Sequence, residues 1–399
     1  MTVFILACLV TPEHDVSGIG LRYGPHLAAL SVGYVVFSYA AIPGVVVREF
    51  DVGYTAVGLL MSAALLAFVA VQAVGGRLVD DRATLPVLLG VVVANGVLAV
   101  VVDLAPTFEA MLALRALWGL TGGLTVTVCA THISRVHTGA TATWHQSING
   151  AMFTLGGAIA FVLTPQVVAV TGWLGVHAVA ALVAAPAAVA LWQDRHLSDR
   201  TRPPAARDAG DDRGPNWRAV VRNRVVLLAA VCNVATLGAY ITLSTFVTAY
   251  FDDAGIVGPL NALALLVAST GRLGGGIAVL RPEIADGRVI AGASGVGVAA
   301  LAALAAGVDA VGLVVALTLL ALAAVSLPFG AIFKTTAGAT PRDGTAVAVV
   351  VAAGNAAALV LPAVTGWIRD ATGGYDAAFA LLALANLAAV AAALSIARR

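Results

Sequence analysis

Apolar runs of about 20 residues, parted by short polar breaks, fill this sequence. That length constrains the fold, because a helix rising about 1.5 Å per residue needs about 20 apolar residues to cross a hydrocarbon core roughly 30 Å thick. The runs lie at 26–47, 55–76, 84–104, 108–133, 146–169 and 173–192, then at 225–250, 257–280, 288–307, 310–333, 345–367 and 376–396. The expected fold class is an all-α membrane protein with twelve transmembrane helices. Hydrophobic residues make up 60% of the 399 residues and charged residues 11%. A soluble core could not hide that much apolar surface, so a soluble enzyme, a disordered chain and a nucleic-acid binder are excluded.

The opening MTVFILACLV is only half a span, with no basic residue before it and no small-residue cleavage site after it. Residues 1–22 are therefore expected as a tail, not a signal peptide. Cys8, Cys129 and Cys232 lie far apart in apolar sequence and read as small membrane hydrophobes. No metal or other cofactor is expected.

The one long hydrophilic stretch, 193–224, is punctuated by Pro203, Pro204, Gly210, Gly214 and Pro215 and carries eight arginines. It reads as a solvated linker between a bundle at 23–192 and a second at 225–399. Basic residues set orientation in a membrane. With the N-terminus cytoplasmic, eighteen of the 22 Lys and Arg fall on the cytoplasmic face, and only Arg48 and Arg369 on the other. Both termini and the linker are thus expected in the cytoplasm, on a multi-pass protein of the cell membrane.

The two halves echo one another. Gly75-Gly76 is matched by Gly275-Gly276, Thr171-Gly172 by Thr372-Gly373, and Pro165 by Pro362. Duplicated halves are typical of secondary transporters, whose site lies between the repeats near the midplane.

Six plus six helices, a central linker and the loop GGRLVDDR resemble the major facilitator superfamily from about residue 23 to the end. The resemblance implies two pseudo-symmetric six-helix bundles and a gate built on Gly76, Asp80 and Arg82, echoed in the second half by Gly276 and Arg281. Asp81 stands where the family has a base, and Leu280 where the second copy would have its acid. RALWGLTGG, residues 115–123, resembles the family's arginine-containing motif in the fourth helix. The fifth helix lacks the Gly-Pro signature of drug–proton antiporters.

A charge inside a membrane helix is costly and points to function. Arg115 lies about 12 Å into its helix and Arg272 at similar depth, too far in to reach water easily. No Asp or Glu falls well inside a run; Asp103, Glu109, Asp252, Asp253 and Asp309 all read as extracellular ends or loops. Two arginines without internal acids point to an anionic substrate, since guanidinium suits carboxylate-like or nitrate-like groups. STGRLGGG around Arg272 resembles the Gly-Arg string of monocarboxylate and oxalate/formate transporters, where the arginine binds carboxylate. Carbonyl capping or helix packing is the competing role for both arginines. Gln72, Tyr39, Tyr240 and Asn355 are further polar candidates near the midplane. His132 and His177 read as interfacial.

The expected function is a secondary transporter of a small anion, a carboxylate or a nitrate- or cyanate-like ion, working by alternating access as a monomer in the lipid bilayer, without nucleic acid and without catalysis. An exporter of hydrophobic or drug-like compounds is the alternative. A membrane enzyme or receptor would need a catalytic set or a sensing domain that the sequence does not contain. Proton coupling stays open, because no acid is placed inside the membrane except Glu109 near a helix mouth.

Overall fold

The computed structural model describes residues 18–398 except 81, 138, 203–219, 257–259, 280–284, 338 and 340–342. Every regular element among the described residues is helical. The first half comprises α1 (Ile19–Phe37), α2 (Pro43–Phe50), α3 (Tyr54–Asp80), α4 (Thr84–Asp103), α5 (Phe108–Val136), α6 (Gly139–Thr171) and α7 (Ala178–Gln193). The second comprises α8 (Arg224–Asp253), α9 (Leu260–Val279), α10 (Asp286–Ala305), α11 (Val311–Ser326), α12 (Phe329–Ala337), α13 (Asp343–Thr372) and α14 (Asp376–Ala397).

Ten spans among the described residues are long and apolar enough to cross a membrane, counting α11 and α12 as one. Twelve were expected, and the two shortfalls have physical causes. The first run is not one helix. Pro43 has no N–H to give to Tyr39 and bars Ile42 from helical geometry. The chain therefore passes through a 3₁₀ turn at Tyr39–Ala41, and Ile42 sits at φ −134° before α2 restarts on Pro43. The sixth run opens with another 3₁₀ turn, Trp173–Gly175, which leaves α7 only 16 residues.

α1 begins at Ile19, within the stretch expected as tail, and the Asp194 carboxylate accepts the Leu21 amide at 2.9 Å. The described start of the linker is also folded. Arg195–Thr201 is a 3₁₀ helix, and buried Thr201 accepts the Leu85 amide at 3.1 Å, which pins it to the start of α4.

Two seams join the halves: α3 packs along α13, and α6 along α9. The repeat equates α3 with α9 and α6 with α13, so each seam is the other with the halves exchanged. The α3–α13 seam is made largely of backbone. A side chain at Gly58 would collide with the Pro362 carbonyl, and one at Gly366 would crowd the Tyr54 carbonyl. Ser62 Oγ donates to the Leu359 carbonyl at 2.5 Å. At the α6–α9 seam the Thr154 and Ser269 hydroxyls meet at 2.5 Å. Close helix approach of this kind supplies packing where lipid removes the hydrophobic drive between helices. Leu66, Val97, Val170, Leu182 and Leu384 point outward and exposed, as lipid-facing residues do.

Candidate functional site

The break in the first run organises the polar centre of the first half. Ending α1 leaves the carbonyls of its last turn short of partners. Arg115, from α5, supplies them: Nη1 donates to the Val35 carbonyl at 2.9 Å and Nη2 to Val36 at 2.7 Å. Its guanidinium also lies 5.0 Å from the Tyr39 ring and 4.8 Å from the Trp118 ring. Arg115 is 1% exposed. Burying that charge is tolerable because charge-assisted hydrogen bonds are each worth about 1.5–3 kcal/mol and the rings add cation–π attraction.

Asp103 and His177 complete the cluster, and both depart from expectation. Asp103 is the last residue of α4, yet it turns inward and is 1% exposed; His177, expected at the interface, is 0% exposed. Asp103 Oδ1 lies 2.6 Å from His177 Nδ1, and Oδ2 accepts the His177 amide at 2.5 Å. Tyr39 OH donates to Asp103 Oδ1 at 3.2 Å, and His177 Nε2 lies 2.6 Å from Ser38 Oγ. A buried carboxylate is costly unless it is multiply bonded, and this one is. His132, also expected at an interface, is buried and bonds Thr84 and the Leu21 carbonyl.

Arg272 is placed differently. It projects from α9, half-buried, between two rings, 4.4 Å from the centre of Tyr240 on α8 and 4.5 Å from that of Phe329 on α12. Among the described residues no hydrogen bond or ion pair reaches its guanidinium, and its buried Nε is unpartnered. The Tyr240 and Ser244 hydroxyls are buried close to one another, and neither makes a well-formed hydrogen bond among the described residues. Tyr240 also packs edge-on against Phe37, at 6.1 Å and 77°. Phe37 closes α1, so one aromatic contact joins the break to the rings that flank Arg272.

The structure therefore pairs Arg115 with Tyr39 and Arg272 with Tyr240. Asn355 is half-buried on α13. Gln72, Gly76 and Asp80 lie on α3, where their surroundings fall outside the described residues, as does Arg281 altogether. Arg82 is exposed in the turn after α3, and its carbonyl accepts Arg135 Nη1 at 2.7 Å. Gly276 is half-buried on α9. Sequence reasoning missed Ser38, Asp103 and His177. The signals were present: Pro43 marks the break, and Asp103 is a lone acid closing a run of apolar residues.

These features define a multi-pass helical membrane protein with two related halves meeting at paired seams. The chain belongs to the Major Facilitator Superfamily, whose family model matches residues 27–343. It is thus a secondary transporter that moves a small solute across the membrane by alternating access, without catalysis. Among solved structures it is similar to a bacterial homologue of the human lysosomal transporter Spinster, in an inward-facing and occupied conformation. That match has a TM-score of 0.68 and 14% identity, and covers 96% of this chain and 98% of that one. At that identity the likeness is one of fold. No curated protein sequence matches this chain.

Proposed function

We propose that the transported solute is a small anion, a carboxylate or a nitrate- or cyanate-like ion, bound by Arg272. One observation carries this reading. Arg272 is a membrane-embedded guanidinium held between two rings, with no acid and no hydrogen bond on it among the described residues. An uncompensated charge inside the membrane calls for a partner, and planar oxyanions fit guanidinium through paired bonds. The Tyr240 hydroxyl, without a well-formed hydrogen bond among the described residues, is a ready donor. Asn355 and Gln72 are the further polar groups of this reading. Arg115 and Tyr39 serve it from the break, where two guanidinium nitrogens are already engaged by carbonyls.

In the same proposal α1 with α2 and the short α7 complete twelve spans in two bundles, 23–192 and 225–399, joined by the linker 193–224. The tail and both termini face the cytoplasm of a monomer in the cell membrane. Gly76, Asp80 and Arg82, with Gly276 and Arg281, form the gating loops between α3 and α4 and between α9 and α10.

The test is the thermal midpoint of the purified protein against oxalate, lactate, nitrate, cyanate, phosphate, neutral sugars and lipophilic cations. A ligand at about 100 times its dissociation constant stabilises by about 2.7 kcal/mol. One anion should raise the midpoint, and Arg272→Ala should erase the rise. A rise with lipophilic cations alone, or an anion rise that survives the substitution, overturns the anion reading in favour of an exporter of hydrophobic compounds.

A further inference from the structure

We propose that Asp103 and His177 form a proton-binding site, and that its proton is carried together with the anion. The inference rests on the anion reading for its second half only.

One hydrogen atom on Ser38 has two acceptors within reach. Ser38 Oγ lies 2.9 Å from the Val35 carbonyl and 2.6 Å from His177 Nε2. A hydroxyl has a single hydrogen to give. The Asp103 carboxylate, 2.6 Å from Nδ1, favours the tautomer with its hydrogen on Nδ1. In neutral His177, Nε2 is then an acceptor and takes the Ser38 hydrogen, which leaves the Val35 carbonyl to Arg115. When a proton from water binds Nε2, that nitrogen becomes the donor. Ser38 then accepts from His177 and turns its own hydrogen to Val35. The carbonyl that Arg115 Nη1 holds at 2.9 Å gains a second donor. Proton gain at His177 therefore reverses the Ser38–His177 bond and adds a donor to the Val35 carbonyl, and release to water reverses both.

Charge balance gives the direction of coupling. The titratable and charged groups facing the pair are Tyr34 on α1, Tyr39 in the break and Arg115 on α5. With His177 neutral, Asp103 and Arg115 cancel. A bound proton adds a second positive charge to the one Arg272 already carries in a low-dielectric interior, and a bound anion lowers the cost of both. Binding couplings are reciprocal, so the anion must tighten the proton as much as the proton tightens the anion. Loading both together is symport. Contact between the two sites exists: Phe37, one residue before Ser38, packs on Tyr240, which stacks on Arg272. A cavity of about 480 Å³ touches Ala41, Ile42 and Pro43 at the other end of the break and offers room for water.

Two measurements test the proposal. In nanodiscs, ¹⁵N-histidine NMR should show, among the imidazole signals that respond to pH, one that disappears in His177→Gln. In proteoliposomes holding a pH dye, inward gradients of oxalate, lactate or nitrate should acidify the lumen. Asp103→Asn and His177→Gln should lower this proton flux at least about tenfold relative to anion exchange. Ser38→Ala keeps both members of the pair, so it should retain the NMR titration and still uncouple the fluxes. It also guards against loss of folding in the other two. Undiminished anion-driven proton flux in His177→Gln overturns the proposal, as does a His177 signal that stays constant with pH. If no anion moves while His177 titrates and Ser38→Ala alters its signal, the proton site stands and the anion reading alone falls.

Discussion

Asp370 caps a helix that belongs to the other half of the molecule. Near the end of α13, its carboxylate accepts the Tyr54 and Thr55 amides at 2.9 and 2.8 Å and the Thr55 hydroxyl at 2.5 Å. Those amides are the unsatisfied donors that open α3, so an acid from α13 does what an N-cap residue does within one helix. Arg369, next along, pairs with Asp253 at 2.9 Å and ties the same end of α13 to α8. The cap exists only while this end of the bundle is closed.

Asp370→Ala should therefore favour opening at this end. Loss of a cap costs about 0.5–2 kcal/mol, which shifts the closed-to-open ratio by roughly twofold to thirtyfold. Spin labels at Val52→Cys and Gly374→Cys, with the native cysteines replaced, should report a larger long-distance population. An unchanged distance distribution would show that the cap does not hold the seam.

Tyr240→Phe removes a buried hydroxyl that makes no well-formed hydrogen bond among the described residues. Unbound stability should hold or rise by up to about 1 kcal/mol, because an unsatisfied polar group costs free energy. Anion affinity should fall roughly fivefold to thirtyfold if that hydroxyl donates to the ligand. Titration of the thermal midpoint in both proteins checks both effects; equal anion affinities would remove Tyr240 from the site.

Gly58 and Gly156 separate closure from folding. A side chain at Gly58 meets the Pro362 carbonyl across the halves, whereas one at Gly156 meets the Leu30 carbonyl within the first half. Gly58→Val should fold with a near-normal midpoint yet expose the α3–α13 seam to a thiol reagent at Ser62→Cys. Gly156→Val should lower the midpoint by several degrees, as overpacking costs about 1–3 kcal/mol. Similar midpoints for the two variants would contradict the assignment of Gly58 to a movable contact.

His145 sits just before the apolar part of α6, stacked on His137 at 3.8 Å and bonded to His26 at 2.9 Å. Burial, then His137, His26 and Arg22, push its imidazole down to about 3 from an ordinary value near 6.5. A lowered value in a base means that the unfolded chain binds more protons between these limits. The contribution is therefore complete above about pH 6.5 and is lost as pH falls toward about 3. His145→Phe should flatten the midpoint-against-pH curve in that window; an unchanged slope would rule this histidine out as its source.

Much of the architecture could be read from residue patterns, because spans and repeats are local or periodic signals. The matched Gly75-Gly76 and Gly275-Gly276, and Pro165 and Pro362, anticipated two related halves. Arg272 announced itself as a charge with nothing to cancel it. The polar centre was harder. Asp103 ends its apolar run, and a terminal acid normally faces water; only the fold turns it toward His177, 74 positions away. Arg115 was visible, but its carbonyl partners arise from a break at Pro43, whose effect on Val35 and Val36 depends on where α5 passes. Asp370 reads as a surface acid until α3 is seen to begin beneath it.

The backbone character of the α3–α13 seam has a consequence for turnover. Gly58, Pro362, Gly366 and Tyr54 meet through main-chain atoms that are already rigid within their helices. Each long side chain immobilised at a contact forfeits up to about 2 kcal/mol of rotational freedom. A joint of carbonyls and glycines has little such freedom to lose on closing or regain on parting. It can separate and re-form with a small entropic penalty, so the halves can behave as a low-friction bearing whose position is set by cargo and charge.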